Sequence, residues 1–182
     1  MATPITHGLL AAGAVQMLPG RKSLGLWVSA ILCSTLPDLD CVGFSLGIRY
    51  GDLLGHRGLT HSLLFALLLS AALLLLMVRD VRRFSGRWWR LWVFLFLIGA
   101  SHGLLDAMTD GGLGVAFFSP FSNARYFLPW RPLRVSPIGL RRFLSPWGAA
   151  VIRCEMLWVW LPLAAAAVAT TVARRVSRRP SE

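Results

Sequence analysis

The sequence predicts an all-α integral membrane protein, a bundle of about five helices with the first two short and a long loop on one membrane face. Of its 182 residues, 55% are hydrophobic and only 15% are charged, against about 25% charged residues in soluble domains. The mean hydropathy is +0.61. So few charges cannot cover the surface of a soluble globule, and a chain this apolar is not disordered. We therefore expect the lipid bilayer to be its environment.

Five apolar runs supply the helices. Two short runs, roughly 8–18 and 24–36, flank Pro19-Gly20-Arg21-Lys22 and predict a helical hairpin. A cleaved signal peptide would have a basic segment before its apolar run, and none is present here, so we expect the hairpin to be retained in the protein. Residues 62–78 and 156–173 carry no charge and nearly span a bilayer, and 88–108 are mostly apolar up to His102 and Asp106. Residues 1–173 thus form one membrane-embedded domain, and 174–182 form a basic tail.

The net charge of +11 is better explained by membrane topology than by nucleic acid, because the arginines lie between the apolar runs and at the C-terminus. Five crossings place eleven basic residues at one end of the bundle, the basic face, and eight at the other, mostly in loop 111–154. Because short basic loops stay cytoplasmic, we expect a multi-pass inner (plasma) membrane protein with a cytoplasmic C-terminus. The basic face comprises Arg21, Lys22, Arg79, Arg82, Arg83, Arg87, Arg90, Arg174, Arg175, Arg178 and Arg179.

All four histidines and most carboxylates fall at the opposite end, the site face, which we expect to be periplasmic or extracellular. Four segments distant in sequence therefore bring imidazoles and carboxylates together. Ionisable groups in membrane segments cost roughly 2.5–3.5 kcal/mol on insertion scales and are usually functional, so the pattern favours a metal site. The residues are His7, Asp38, Asp40, His56, His61, His102, Asp106 and Asp110.

Local spacing refines this expectation. His102 and Asp106 share one helix face at i,i+4, and Asp110 continues that stripe if the helix reaches Gly111. Thr60 is the expected N-cap of the third helix, with His61 in its first turn. Cys33, Cys41 and Cys154 lack CxxC spacing and are expected to be small buried hydrophobes.

Four motifs carry a family resemblance: His7-Gly8, Leu36-Pro37-Asp38-Leu39-Asp40, the histidine motif His56-Arg57-Gly58-Leu59-Thr60-His61-Ser62, and Ser101-His102-Gly103-Leu104-Leu105-Asp106. Together with Phe118-Ser119-Pro120-Phe121-Ser122 and Pro129-Trp130-Arg131-Pro132, they resemble the YdjM-type family over about residues 3–165. These are inner-membrane proteins described as metal-dependent hydrolases. That family is in turn thought to be distantly similar to zinc-dependent phospholipase C and P1-type nucleases, which implies phosphoester hydrolysis.

The sequence therefore predicts a membrane metallohydrolase acting on a lipid or lipid-linked phosphate. Nitrogen and carboxylate donors suit Zn²⁺ and also admit Mn²⁺ or Fe²⁺, as one ion or as two ions roughly 3.5–4 Å apart. Arg57 is expected to hold a phosphate, whereas Arg125 and Arg131 could hold a phosphate or anchor lipid headgroups. The expected ligands are His7, Asp38, His56, His61, His102 and Asp106, with Asp40 and Asp110 as ligands or general base.

Two other functions stay open: an ion- or proton-coupled transporter, and an interaction module whose fold is stabilised by a bound metal ion. A transport path needs polar residues at several depths, but the centres of 62–78 and 156–173 are polar only at Ser70, Thr170 and Thr171. That pattern favours a site at one face. Two roles are equally open for Glu155. It could support the metal ligands or act as a catalytic carboxylate, or it could lie at the membrane interface and pair with Arg153.

Overall fold

The computed structural model describes residues 1–177 and confirms the all-α class, since this part of the chain has no strand and only two isolated bridges. Helices α1 (Pro4–Met17), α2 (Leu24–Thr35), α3 (Leu63–Met77) and α4 (Gly86–Ala107) form the bundle. A 3₁₀ helix, Leu36–Leu46, extends α2, and a 3₁₀ turn, Leu59–His61, precedes α3. After a long loop come α5 (Leu140–Phe143), α6 (Pro146–Glu155) and α7 (Leu161–Val176).

The helix starts are fixed by caps that apolar periodicity does not show. α1 begins at Pro4, four residues before the predicted run, because the Thr3 hydroxyl accepts from the Thr6 N–H. Ser62, and not Thr60 as predicted, caps α3 by accepting from the Phe65 N–H. His61 therefore lies before the helix, in the 3₁₀ turn.

Helix α2 lies at the centre of the bundle, in contact with α1, α3 and α4. At its start, a Cβ on Gly25 would lie 2.0 Å from the Met77 carbonyl oxygen, so this close approach to α3 requires glycine. The apolar core contains Ala11, Val15, Leu26, Leu74 and Leu95. This core fills the space between the two ends of the bundle.

The C-terminal helix is longer than predicted. A π-helical turn, Met156–Trp160, joins α6 to α7, so one helix runs over Pro146–Val176 rather than 156–173. The predicted loop 111–154 therefore ends in helix, because Ser145 caps α6 and Pro146 occupies its first turn. The predicted tail 174–182 begins inside α7, and residues 178–182 lie outside the described part of the chain.

Within residues 1–177, three helical stretches are long and apolar enough to cross a membrane: Leu24–Leu46, Gly86–Ala107 and Pro146–Val176. The basic face is a common end of the bundle. Arg87 donates to the Arg21 carbonyl oxygen at 3.4 Å, and Arg174 donates to that of Met17. The start of α1, the end of α2, the start of α3 and the end of α4 therefore meet at the other end, where the histidines are.

Candidate metal centre

Four buried side chains converge where three elements meet. Asp38 comes from the 3₁₀ helix after α2, His61 from the 3₁₀ turn, and His102 and Asp106 from successive turns of α4. One ligand atom from each lies within 4.8 Å of all the others. We call this set the central group.

The spacing of the central group suits a single metal ion. His61 Nε2 lies 3.6 Å from Asp38 Oδ1 and 3.5 Å from Asp106 Oδ2. His102 Nε2 lies 3.5 Å from the same Asp38 oxygen. Four ligands at zinc bond lengths of about 2.0–2.1 Å in a tetrahedron are about 3.3–3.4 Å apart. Small side-chain movements would therefore bring these atoms to ligand distances.

The outer nitrogens of both histidines are already engaged. His61 Nδ1 lies 3.1 Å from Asp40 Oδ2, and His102 Nδ1 donates to the Ser34 carbonyl oxygen at 2.7 Å. Metal-ligating histidines usually donate their second N–H to a carboxylate or carbonyl in this way. Both Nε2 atoms therefore face the centre of the group.

Buried polar atoms without hydrogen-bond partners collect at this point. Among residues 1–177 they include Nε2 of His7, His61 and His102, both oxygens of Asp38, and Oδ2 of Asp106. Buried polar atoms are normally hydrogen-bonded, and each exception calls for an explanation such as a bound ion. The residues present fit a divalent cation.

His7 borders the central group from α1. Its ring stacks on His102 with centroids 3.9 Å apart, and its Nε2 lies 3.4 Å from Asp106 Oδ1. That oxygen also accepts from the Ala2 N–H at 2.7 Å. The predicted ligand His7 is therefore next to the group and is available as a further nitrogen donor.

Asp40 holds histidines rather than facing the centre. Its Oδ1 accepts from His56 Nδ1 at 2.7 Å, and its Oδ2 accepts from the Thr60 hydroxyl at 2.6 Å and from the Arg57 backbone N–H at 3.2 Å. With His61, these contacts occupy both oxygens. The structure therefore places Asp40 against His56, Thr60 and His61 rather than toward the centre of the group.

His56 does not reach the central group. It lies between Asp40 and the ring of Tyr50, whose centroid is 5.2 Å from its own. Asp40, His56 and His61 are close enough to be considered as a second ion site, but hydrogen bonds already join the carboxylate to both rings. This trio is a supporting network.

Arg57 is fully buried, and its guanidinium faces Asp106 and the loop that follows α4. Its Nε lies 3.2 Å from Asp106 Oδ2, while its two terminal nitrogens donate to the Gly111 carbonyl oxygen and the Thr109 hydroxyl, both at 3.0 Å. Its backbone adopts a left-handed φ of 63°, which is uncommon outside glycine. The guanidinium therefore contacts Asp106 and the following loop, and the role of Arg57 in holding a phosphate stays a prediction.

The balance of charge favours a cation. Three carboxylates (Asp38, Asp40 and Asp106) face one guanidinium and the nearby N-terminal ammonium of Met1. Burial lowers the pKa of His61, but the carboxylates of Asp106, Asp38 and Asp40 outweigh that effect and raise it to about 10. Burial lowers the pKa of His56 despite its bond to Asp40. A divalent ion would replace the proton that His61 otherwise carries.

Asp110 lies outside the site. α4 ends at Ala107, so the predicted stripe through Asp110 is wrong. Its carboxylate is exposed and accepts from the Val135 N–H at 2.8 Å, where it fastens the long loop. Arg125 likewise fastens a loop, donating to the carbonyl oxygens of His56 and Tyr50 at 3.0 and 2.9 Å. The exposed Arg131 lies over the Phe127 ring.

Glu155 has a role that sequence reasoning left undecided. It is fully buried and accepts from the Thr3 N–H at 2.6 Å and from the hydroxyls of Thr3 and Thr6 at 2.5 and 2.6 Å. It therefore ties the first turn of α1, which carries His7, to the C-terminal helix. The alternative pairing with Arg153 is not what the structure shows.

Sequence reasoning also missed Gly103. A Cβ there would lie 3.1 Å from the Phe117 ring and 3.2 Å from the His61 carbonyl oxygen. A glycine following a candidate helical ligand was the available signal, since it permits close packing against a neighbouring segment.

An apolar cavity of about 640 Å³ opens beside the central group. Its walls come from the start of α1, the 3₁₀ helix and residues 136–143, and Asp38 contributes to the lining. Asp38 thus belongs to the central group and to the cavity. The apolar lining includes Ile5, Leu36, Leu39, Ile138, Leu140 and Phe143.

Fold and site together define a class: a helical membrane protein that buries a cluster of histidines and aspartates, a possible metal-binding site, at one end of its bundle. The chain belongs to the YdjM inner membrane protein family, whose pattern it matches over residues 1–177. It is 40% identical over 174 residues to the inner membrane protein YbcI of Escherichia coli (strain K12), covering 89% of this chain and 92% of that protein. No solved structure matches it.

Proposed function

We propose that this protein is a membrane-bound, metal-dependent hydrolase that cleaves a phosphoester in a lipid or lipid-linked substrate. The observation that carries the proposal is the convergence of unpartnered ligand atoms of Asp38, His61, His102 and Asp106 beside an apolar cavity. The phosphoester chemistry rests on the family resemblance and not on the geometry.

We assign the metal ligands to the central group, with His7 as an additional donor. Nitrogen and oxygen donors without a thiolate favour Zn²⁺ and admit Mn²⁺ or Fe²⁺. When bound, such an ion supplies a Lewis acid for the reacting oxygen and an activated water. One ion is better supported than two, because hydrogen bonds already occupy the Asp40–His56–His61 trio.

The surrounding residues prepare the ligands. Asp40 and the Ser34 carbonyl oxygen fix the ring orientation of His61 and His102, and Arg57 holds Asp106. Asp38 is the ligand that faces the cavity, so we assign to it the contact with substrate and the transfer of the proton. This replaces Asp40 and Asp110 in that role.

The cavity supports a lipid as substrate. Its volume is within the range of roughly 300–1,000 Å³ typical of ligand pockets, which combine apolar walls with a few polar groups. Several wall residues are also exposed on the outside, among them Leu39 and Leu140. An acyl chain could therefore enter from the bilayer and leave its phosphoester next to Asp38.

We also propose that the site face is periplasmic or extracellular. The cations of the basic face lie close to helix ends, where the positive-inside rule applies. Reporter fusions after Arg83 should be cytoplasmic, and fusions at Asn123 should lie on the opposite side. The reverse result would move the site to the cytoplasm without altering its composition.

A transport path is less well supported. Below the central group, the core of residues 1–177 is apolar through Ala30, Leu74 and Leu95. The buried Ser29 and Ser70 point their hydroxyls at backbone carbonyls of Leu73 and Leu67. These contacts leave no continuous set of polar groups from the site to the basic face.

Metal content and turnover of detergent-purified protein test the proposal. His102→Ala and Asp106→Asn should lose bound zinc, whereas Asp80→Asn, at the basic face, should keep it. The zinc-loaded protein should hydrolyse long-chain phosphoester lipids faster than their short-chain counterparts. Phe143→Ala should reduce that preference, while Leu144→Ala, its neighbour outside the cavity, should not. Bound zinc without hydrolysis of any ester would favour the alternative function, an interaction module whose fold is stabilised by a bound metal ion.

A further inference from the structure

A second cavity lies at the basic face, at the opposite end of the bundle from the central group. Its volume is about 330 Å³, and its lining combines four cations with an apolar floor. The cations are Arg21, Lys22, Arg87 and Arg90, and the apolar side includes Leu18, Leu26, Leu91 and Phe94.

The cations converge from two elements. Arg21 and Lys22 belong to the turn between α1 and α2. Arg87 and Arg90 stand on one face of α4, followed at the same helical spacing by Leu91 and Phe94. The charged rim therefore lies at the helix ends, and the apolar floor lies deeper in the bundle.

The positions of these side chains are held by the backbone. Arg87 donates to the Arg21 carbonyl oxygen at 3.4 Å, Lys22 to that of Gln16 at 3.1 Å, and Arg90 to that of Gly86 at 3.2 Å. Each of these cations retains further N–H groups for a ligand.

The cavity lacks a compensating carboxylate. Within residues 1–177, the arginines that form ion pairs with carboxylates are Arg49 and Arg57, so none of the four cations is neutralised by a carboxylate. Like charges gathered around one cavity repel one another unless an anion lies between them.

Aromatic side chains place the cavity at the level of the lipid headgroups. Trp88, Trp89 and Trp92 pack against one another beside the arginines of α4. Tryptophan is enriched at the membrane–water interface. Basic pockets between membrane helices at this depth bind anionic headgroups.

We propose that this cavity binds one anionic phospholipid. The phosphate lies between the cations, where each arginine guanidinium can donate two hydrogen bonds to it. An acyl chain lies along Leu26, Leu91 and Phe94. The site is independent of the hydrolase proposed above, since the apolar core separates the two ends.

Lipid binding to the detergent-purified chain tests the proposal by native mass spectrometry and thermal unfolding. Short-chain phosphatidylglycerol should bind as one molecule and raise the melting temperature, while phosphatidylcholine of the same chain length and inorganic phosphate should not. Replacing two cations (Arg87→Gln with Arg90→Gln) should weaken binding about 30-fold, equivalent to about 1 kcal/mol per cation. Arg87→Lys with Arg90→Lys keeps the charge but not the paired hydrogen bonds and should weaken binding less than the glutamine pair.

The matched control is Arg82→Gln with Arg83→Gln, which removes two exposed cations of the same face that do not line the cavity. This pair should weaken binding no more than a few-fold. Equal weakening by both pairs would show diffuse attraction and overturn the proposal. Competition by inorganic phosphate at the same concentration would also overturn it, because an anion site would then need no lipid chain.

Discussion

Replacing Asp40 by Asn distinguishes a positioning carboxylate from a general base. The change keeps the size of the side chain but removes its charge and one of its two acceptor oxygens. In the structure, Oδ1 serves His56, while Oδ2 serves His61, Thr60 and the Arg57 N–H. An amide has a single acceptor oxygen, so both imidazoles lose a charged partner and at least one of them loses its hydrogen-bond acceptor.

The expected loss is in metal affinity. A hydrogen bond to a charged group contributes about 1.5–3 kcal/mol, a factor of roughly 10–150 in a binding constant. If His61 loses its acceptor, its Nε2 is no longer held toward Asp38 and Asp106. Mutating the outer partners of metal-bound histidines typically weakens binding by about 10–100-fold. We therefore expect Asp40→Asn to bind zinc between tenfold and a hundredfold more weakly.

Competition with a chromophoric zinc chelator at pH 7 measures this change on detergent-purified protein. Asp52→Asn is the matched control, because Asp52 lies in the loop after the same 3₁₀ helix and its carboxylate pairs with the exposed Arg49. It should leave zinc affinity unchanged. If Asp40→Asn binds zinc as tightly as the original chain while turnover falls, the positioning assignment is wrong and Asp40 is the base.

Three further outcomes test other parts of the structure. Glu155→Ala leaves three buried donors unsatisfied and should lower the free energy of unfolding by about 3–5 kcal/mol. Arg153→Ala is the control and should leave the melting temperature within about a degree. Equal effects of the two changes would contradict the anchoring role of Glu155. Gly103→Ala forces the His61 backbone to shift and should cost about 1–3 kcal/mol along with zinc occupancy, which Gly86→Ala in open space should not do. The pKa of metal-free His61 is raised to about 10, so zinc must displace its proton. Zinc affinity should therefore rise about tenfold per pH unit between about pH 7 and 9. A zinc affinity that does not change with pH over this range would refute the prediction.

The sequence predicted the all-α class, the ends at which the main helices meet and the face that gathers the histidines. These follow from the apolar runs, because an uncharged stretch such as 62–78 can satisfy its backbone in a membrane only as a helix. The helix ends were less predictable. Hydropathy does not register Thr3, Ser62 or Ser145, whose hydroxyls decide where α1, α3 and α6 begin.

The C-terminal helix shows why a charge within a run misleads. Arg153 and Glu155 interrupt the apolar pattern, which suggested that the helix begins after them. Arg153 is exposed, but Glu155 is buried by hydrogen bonds from α1, 149 and 152 residues away in sequence. A contact over that separation leaves no trace in local periodicity.

The roles of Asp38 and Asp40 depend on a helix type that the sequence did not indicate. An extended segment would point side chains at i and i+2 to the same face, and both aspartates would then enter one cavity. The structure instead continues α2 as a 3₁₀ helix over Leu36–Leu46, with about three residues per turn. Side chains two apart then differ by about 240° around the axis. Asp38 therefore faces His102 and the cavity, while Asp40 faces His56 and Thr60 on another side. This difference is why our proposal assigns ligand atoms to Asp38 and the orientation of the histidines to Asp40.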